Sequence, residues 1–323
     1  MITVEHLTKR YGAFTAVNDV SFTCVPGTVT GFLGPNGAGK STTMRMISGL
    51  TPPTSGRTTV NGVAFRDLPN PGRHIGVLLD ASAQHSGRTG REILSLSAQL
   101  LGVGQKRVDA MLELVGLHGA AEKRRVGNYS LGMRQRLGLA HALLGDPTVL
   151  MLDEPANGLD PEGIFWMRGV LRDFADRGGT VMLSSHLLRE VEAVADHLVV
   201  IGSGRIVADG GKDELLHAGG LYVRSLDPAP LEKALAEAGL SVQPTRDGGF
   251  SVAGDAETVG RAALAAGAVL LELRPADSGG LEEMFLRLTS SHDSHDGSRP
   301  PGHAPAGTVG AGAATVASQK EAS

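Results

Sequence analysis

Three short segments of the chain are apolar almost without interruption, at residues 29–33, 148–152 and 179–183. A continuous apolar run of this kind is expected of a central parallel strand, because such a strand is covered on both faces of the sheet. A further buried strand is predicted at residues 75–79, and it ends at Asp80. The pattern therefore predicts an α/β fold organised around a parallel sheet.

Between these strands the spacing of the apolar residues becomes helical. It predicts one helix over residues 91–101 and another over residues 108–117. A third helix is predicted to begin at Ser130, which is a good N-cap, because Leu131, Leu137 and Leu144 share one apolar side. We therefore expect a helical subdomain from about residue 82 to residue 144.

The pattern changes again after residue 220. Short strands alternate with alanine-rich helices over residues 221–289, which predicts a small α/β appendage to a main domain at residues 1–220. Residues 290–323 are mostly Gly, Ala, Ser, Pro and His. Such a segment cannot bury enough apolar surface to offset its ordering entropy, so we expect a disordered tail.

Composition narrows the class of protein. The net charge of −4 gives no support to a nucleic-acid partner, and the single cysteine, Cys24, excludes an internal disulfide and favours a reducing compartment. The first residues lack the basic and apolar regions of a secretory signal. No apolar run approaches the roughly 20 residues that span a bilayer, so we expect a protein that is soluble or is bound to a membrane only through a partner.

The strongest chemical signal follows the apolar run at residues 29–33 and precedes a helix-like run at residues 43–47. It has the pattern G-x-x-x-x-G-K-[ST], and its residues are Gly34, Pro35, Asn36, Gly37, Ala38, Gly39, Lys40, Ser41 and Thr42. Glycines let successive N–H groups point at a phosphate chain, and the helix N-terminus adds partial positive charge.

In such a phosphate loop, Lys40 would reach the β- and γ-phosphates, Ser41 would bind Mg²⁺ and Thr42 would donate on the α-phosphate side. We expect Lys40 to be exposed in the loop. The alternative is a glycine-rich turn with a surface lysine, but the strand before it and the helix after it favour the phosphate loop.

Two acidic residues, Asp153 and Glu154, follow the apolar run at residues 148–152. Ligands collect at the carboxyl ends of strands in open α/β sheets. There an aspartate can hold Mg²⁺ and the next glutamate can polarise an attacking water. The alternative is an acidic pair that only caps the strand, and the presence of a phosphate loop favours the functional interpretation.

Ser130 and Gly132 at a predicted helix N-terminus form a second candidate anion site. Because the chain has one phosphate loop, this second site suggests contact with the nucleotide of a neighbouring copy, although most serine-capped helices bind nothing. Tyr11 lies in a turn between the first two predicted strands. It could stack on adenine or be an ordinary turn tyrosine.

Taken together, these motifs resemble the nucleotide-binding subunits of ABC transporters. The resemblance covers residues 2 to about 220 and includes, in family order, a signature-like segment at 129–135, a Walker-B end at 152–155, a D-loop at 157–160 and the switch Ser185-His186. The Ser-Leu-Gly-Met form of the signature, with one such domain and a small appendage, most resembles ATPase subunits of bacterial drug exporters of the bacitracin and daunorubicin type.

The resemblance implies a P-loop NTPase fold with an antiparallel β subdomain and a helical subdomain. Two copies would close head-to-tail around two ATP–Mg²⁺, each ATP lying between the phosphate loop of one copy and residues 130–132 of the other. Glu154 would position the water, His186 would contact the γ-phosphate, Asp160 would couple the two sites and Tyr11 would stack on adenine.

The resemblance also implies a place and a partner. The chain would be a peripheral protein at the cytoplasmic face of the cell membrane, bound to a separate polytopic permease subunit. ATP hydrolysis would energise export of a drug, an antibiotic or a lipid-like substrate, and so confer antibiotic resistance.

One position departs from the family pattern. The family usually has a glutamine after the strand at residues 75–79, where it binds Mg²⁺ and contacts the membrane subunit. Here the position holds Asp80, whose side chain can bind Mg²⁺ but is shorter and charged. Two alternatives are that the nearby Gln84 takes the glutamine's role and that Asp80 only caps the strand.

Two other functions compete with the transporter hypothesis. A soluble ABC-family ATPase acting on ribosomes or DNA usually carries two such domains or long coiled-coil insertions, whereas this chain has one domain and a net acidic balance. A low-turnover regulatory nucleotide switch is compatible with Asp80, but the presence of Glu154 and His186 argues against it.

Overall fold

The computed structural model describes residues 1–185, 188–217, 220–245 and 247–275. In chain order the strands are β1 (Ile2–Tyr11), β2 (Phe14–Cys24), β3 (Val29–Leu33), β4 (Ser55–Val60), β5 (Ile75–Leu78), β6 (Val149–Asp153), β7 (Thr180–Ser184), β8 (His197–Gly202), β9 (Arg205–Gly211), β10 (Leu221–Ser225), β11 (Ser241–Pro244), β12 (Phe250–Ala253) and β13 (Leu270–Pro275). The helices are α1 (Lys40–Ile47), α2 (Gly90–Leu101), α3 (Gln105–Leu114), α4 (Leu131–Leu144), α5 (Pro161–Asp176), α6 (Leu188–Glu192), α7 (Lys212–His217), α8 (Pro228–Glu237) and α9 (Ala256–Ala265). None of these described helices is long and apolar enough to cross a bilayer.

The apolar runs form the centre of a six-stranded sheet with the strand order β5-β6-β7-β3-β8-β9. The first five strands in this order run parallel, and β9 closes the edge as an antiparallel hairpin partner of β8. Every residue of β3 and β7 is buried. The α/β fold predicted from continuous apolar runs is confirmed.

The two faces of this sheet belong to two different cores. Leu150 and Leu152 of β6 pack with the helical layer that contains α2 to α5, whereas Val149 and Met151 pack with β1, β2 and α1. Successive side chains of a strand point to opposite faces, so one strand supplies both cores. The sheet is thus covered by helices on one side and by the antiparallel sheet β2-β1-β4 on the other.

The helical subdomain is also confirmed, with one change of boundary. The helix expected over residues 108–117 is α3, which begins at Gln105 and ends at Leu114. Gly116 has a φ of 67°, and the N–H of Leu117 donates to the carbonyl of Leu112 at 2.9 Å. This reversal is how a glycine closes a helix, and it leaves Leu117 buried although it lies outside the helix.

The C-terminal α/β region forms an antiparallel sheet of its own, with the order β11-β12-β10-β13 and the split β-α-β connectivity. Its helices α8 and α9 close a separate apolar cluster around Val223, Phe250 and Val252. Residues 276–289 of the expected appendage and the expected tail at residues 290–323 lie outside the described residues. The bounds of the three predicted regions therefore stay predictions.

Close approach between β5 and α4 gives a stability prediction. A Cβ added at Gly76 would lie 2.0 Å from the carbonyl oxygen of Ala142 in α4. Because that atom is backbone and not the end of a flexible side chain, Gly76→Ala must displace the helix, and we expect it to cost about 3 kcal/mol of unfolding free energy. The measurement is the thermal or urea unfolding of the purified chain.

The matched control is Gly169→Ala in α5, where an added Cβ meets nothing within 4 Å. Replacing glycine by alanine inside a helix should stabilise the protein by roughly 0.5–1 kcal/mol. Equal stability of the Gly76 variant and wild type would contradict the close packing of α4 on the sheet.

Candidate functional site

The phosphate-loop segment connects β3 to α1 and lines a cavity of about 500 Å³. Gly39 is the N-cap of α1 with a φ of 109°, and a Cβ there would lie 2.7 Å from the carbonyl oxygen of Ala16. Gly34 and Ala38 are buried, and the N–H of Ala38 donates to the carbonyl of Pro35 at 3.1 Å. The local backbone therefore requires glycine at the helix entrance, as the motif predicts.

Residues from distant parts of the sequence meet at this cavity. Its lining consists of Tyr11, Phe14, Ala16, Asn36, Gly37, Gly39, Lys40, Ser41, Thr42, Asp153 and Glu154. Tyr11 and Phe14 are each 53% exposed, so both aromatic rings are accessible at the mouth of the cavity. The structure thus brings the aromatic turn, the phosphate loop and the acidic strand end into one site.

Lys40 is buried, and this corrects the expectation that it would be exposed in the loop. Its Nζ donates to the carbonyl of Gly34 at 2.6 Å and to that of Pro35 at 3.2 Å. Burial lowers the pKa of the ammonium group, and the carboxylates of Glu154 and Asp153 oppose that shift. The side chain therefore lies inside the loop, with its ammonium group bonded to two backbone carbonyls.

Asp153 links the ends of β6 and β7 to the first turn of α1 at the carboxyl edge of the sheet. Its Oδ2 accepts a hydrogen bond from the hydroxyl of Ser41 at 2.9 Å, and its Oδ1 accepts one from the hydroxyl of Ser184. Ser184 ends β7 and pairs directly with Asp153 in the parallel ladder. A hydroxyl and a carboxylate oxygen therefore face the same point of the cavity and could hold a divalent cation.

The backbone of Glu154 is held from two sides. Its N–H donates to the carbonyl and the hydroxyl of Ser184, at 3.2 and 3.1 Å, and its carbonyl accepts from Nε2 of Gln135 at 3.1 Å. Its φ of 50° is left-handed, which is uncommon for a residue with a side chain. Neither Ser184, which precedes the switch, nor Gln135, which ends the signature-like segment, was among the predicted site residues.

Asp80 and Gln84 lie in a different place. Both line a separate cavity of about 370 Å³, and neither lines the cavity of the phosphate loop. Oδ1 of Asp80 accepts from the N–H and the hydroxyl of Ser82 at 2.7 and 2.6 Å, and these bonds lower the pKa of the carboxyl. The structure does not bring Asp80 to Ser41 and Asp153, and its role as a Mg²⁺ ligand stays a prediction.

The remaining predicted site residues lie outside the cavity lining. Ser130 is the exposed N-cap of α4 and accepts from the N–H of Met133 at 3.2 Å. Asp160 is the exposed N-cap of α5 and accepts from the N–H of Gly163 at 2.9 Å. A Cβ at Gly132 would lie 2.8 Å from the carbonyl oxygen of Gly158, so the starts of the two helices are adjacent.

His186, the predicted switch residue, lies outside the described residues. The chain around it is described up to Ser185 and again from Leu188, where α6 begins.

Comparison with known proteins identifies two segments. Residues 17–157 match the family model described as ABC transporter, and residues 220–282 match a domain of unknown function, DUF8746. The first match covers the phosphate loop, the signature-like segment and the acidic strand end.

Individual relatives extend the similarity beyond these segments. The chain is 41% identical over 218 residues to the bacitracin transport ATP-binding protein BcrA of Bacillus licheniformis, covering 67% of this chain and 71% of that protein. It is 35% identical over 299 residues to the Nod factor export ATP-binding protein I of Rhizobium etli, covering 89% and 93%. Its fold is similar to the dimeric structure of MJ0796, a bacterial ABC transporter cassette, with a TM-score of 0.60, 22% identity and coverage of 65% and 98%.

The buried lysine of the loop gives a binding prediction. Lys40→Met keeps most of the stem but removes the ammonium group, so we expect the fold to be retained and ATP affinity to fall by about 100-fold. Far-UV circular dichroism and titration with a fluorescent ATP analogue measure the two effects. Lys233→Met, at a lysine that is 79% exposed in α8, is the control and should bind like wild type. Unchanged ATP affinity in the Lys40 variant would contradict the phosphate loop.

Proposed function

The chain belongs to the ABC transporter ATPase family, and from that membership we propose a two-copy ATPase that energises export through a separate membrane subunit. The observation that carries the proposal is the single cavity shared by Tyr11, the phosphate loop, Asp153 and Glu154. It combines an aromatic surface, a cationic loop and two carboxylates, which are the groups that a nucleoside triphosphate and its metal ion need.

In this proposal ATP lies in the cavity with adenine against Tyr11 and its phosphates in the loop. Lys40 leaves the carbonyls of Gly34 and Pro35 to meet the β- and γ-phosphates, and Thr42 and the loop N–H groups hold the chain of phosphates. Lys9 supports the aromatic turn, because its Nζ lies 5.0 Å from the centre of the Tyr11 ring.

We propose Mg²⁺ as the metal ion. Ser41 and Asp153 present a hydroxyl and a carboxylate 2.9 Å apart, and Mg²⁺ prefers such hard oxygen ligands together with phosphate oxygens and water. Among the described residues there is no group of three or more His, Cys, Asp or Glu side chains that could form a metal cage. This fits an ion that arrives with its nucleotide. When bound, it would neutralise charge on the β- and γ-phosphates.

Glu154 is the proposed base that orients the attacking water. Ser184 and Gln135 bond to its backbone, so the Cα from which the side chain extends has a fixed position at the edge of the cavity. His186 is proposed to contact the γ-phosphate and to hold Glu154, as its place in the switch motif implies. Positioning should supply most of the rate, because phosphoryl transfer asks for little covalent chemistry from the protein.

The second copy is proposed because one protomer has an incomplete site. Ser130 and Asp160 are exposed, and with Gly132 they lie outside the lining of the cavity. A head-to-tail partner would bring its Ser130 and Gly132 to the γ-phosphate and its Asp160 to the shared interface. The dimeric MJ0796 cassette provides a precedent in a protein of the same fold.

The transport partner and direction rest on the relatives. BcrA is a bacitracin transport ATP-binding protein, and the Rhizobium etli relative is a Nod factor export ATP-binding protein. We propose that this chain likewise serves an exporter of an antibiotic-like or lipid-like molecule and binds a polytopic subunit at the cytoplasmic face of the membrane.

The catalytic role of Glu154 is tested by Glu154→Gln. We expect the ATP hydrolysis rate to fall at least about 100-fold while ATP affinity stays within twofold, because the amide cannot act as a base. Phosphate release and ATP titration on the same preparation separate the two quantities. Glu232→Gln, at an exposed position of α8, is the matched control. Equal hydrolysis by the Glu154 variant and wild type would remove Glu154 from the mechanism.

The partner is tested with a tagged Glu154→Gln form, which should trap the ATP-closed dimer. The tagged chain is expressed in its native cell, membranes are solubilised in mild detergent and co-purifying proteins are identified by mass spectrometry. We expect a polytopic protein in near-equal amount, and less of it with Lys40→Met. Ribosomal proteins or DNA-repair factors in its place would support a soluble ATPase instead.

A further inference from the structure

Two arginines on one face of α5 hold the connection that leads from β7 to β8. Nη2 of Arg168 donates to Oε2 of Glu190 in α6 at 2.6 Å. One helical turn later, Nη1 of Arg172 donates to both carboxylate oxygens of Asp196 at 2.8 and 3.0 Å. The two ion pairs attach α6 and the start of β8 to the same helix.

The two ion pairs differ in what else they touch. Asp196 also accepts from the N–H of Val29, and Arg172 also donates to the carbonyl of Gly27, so this pair is tied to the start of β3. Arg168 has Glu190 as its carboxylate partner, and within the described part of the chain its buried Nε has no hydrogen-bond acceptor. The charge of Arg168 is therefore balanced by a residue of one short helix.

The Arg168–Glu190 pair joins the helix that follows the D-loop to the helix that follows the switch motif. Asp160 caps α5, and Arg168 lies eight residues further along the same helix, roughly 12 Å from the cap. On the other side of the contact, α6 begins two residues after His186, and Glu190 lies four residues after His186. The side chains of Arg168 and Glu190 are 29% and 19% exposed, so the contact is partly shielded from solvent and salt.

We infer that Arg168 and Glu190 are positioning residues for ATP hydrolysis, which hold α6, the helix that follows the switch motif, against the helix that Asp160 begins. This inference rests on the proposed function and adds two residues that touch neither nucleotide nor metal. Displacement of a reacting group by about 1 Å can cost about 100-fold in rate, so a single link to a short helix can control turnover. ATP binding depends on the phosphate loop and should be unaffected.

The test is a double-mutant cycle on the full chain with Mg²⁺-ATP. We expect Arg168→Met and Glu190→Gln each to lower kcat about tenfold, with ATP affinity within twofold and Tm within about 3 °C of wild type. The double variant should lose no more than either single variant, because both remove the same contact. Arg168→Lys should recover part of the rate, since it restores a cation.

Two controls separate positioning from stability. Arg172→Met should lower Tm more than Arg168→Met, because it releases Asp196 and the start of β3. Arg261→Met, which breaks an exposed pair with Glu257 in α9, should change neither Tm nor kcat.

The inference is overturned if Arg168→Met turns over at the wild-type rate, if losses multiply in the double variant, or if Tm and ATP affinity fall together with kcat. Each of these outcomes presupposes a wild-type chain that hydrolyses ATP faster than Glu154→Gln. Absence of that difference would refute the proposed function itself, so the two failures are distinguishable.

Discussion

Asp153 accepts hydrogen bonds from two serines, and the site depends on that double contact. Ser41 lies in the first turn of the helix after β3, Ser184 ends β7, and Asp153 ends the strand β6 that lies beside β7. The contact is possible because parallel strands end at the same edge, so segments more than a hundred residues apart in sequence arrive at one point. Burial on both faces makes the register of these strands costly to shift, and the site inherits that rigidity.

Most of this arrangement could be predicted from the sequence, because each part is a short contiguous motif. The glycine spacing before Lys40 and the acidic pair after an apolar run carry their own chemistry, and the alternation of strand and helix orders them. The helical subdomain was predictable for the same reason, but the last turn of α3 was not. The apolar spacing continues to Leu117, but the left-handed backbone at Gly116 ends the helix, and Leu117 is buried by tertiary packing instead.

What could not be predicted depends on groups that meet only after folding. Lys40 is buried because two loop carbonyls point at its ammonium group, and the spacing of residues in the motif does not indicate where those carbonyls point. The pairing of Arg168 with Glu190 joins residues 22 positions apart on two helices, in a sequence where charged residues are common. Asp80 shows the converse case, since its place in the motif order suggested one environment and its bonds to Ser82 give it another.

The hydrogen bonds that Lys40 donates to its own loop have a consequence for which anions the loop attracts. An ammonium group that is already bonded to two carbonyl oxygens attracts a small anion less strongly, because the carbonyl dipoles oppose its positive potential. A ligand that draws Lys40 away has to replace two carbonyl contacts, and a phosphate group offers several oxygen atoms for this while a chloride ion offers one atom. The loop therefore favours anions that present several oxygen atoms, before any residue recognises the base.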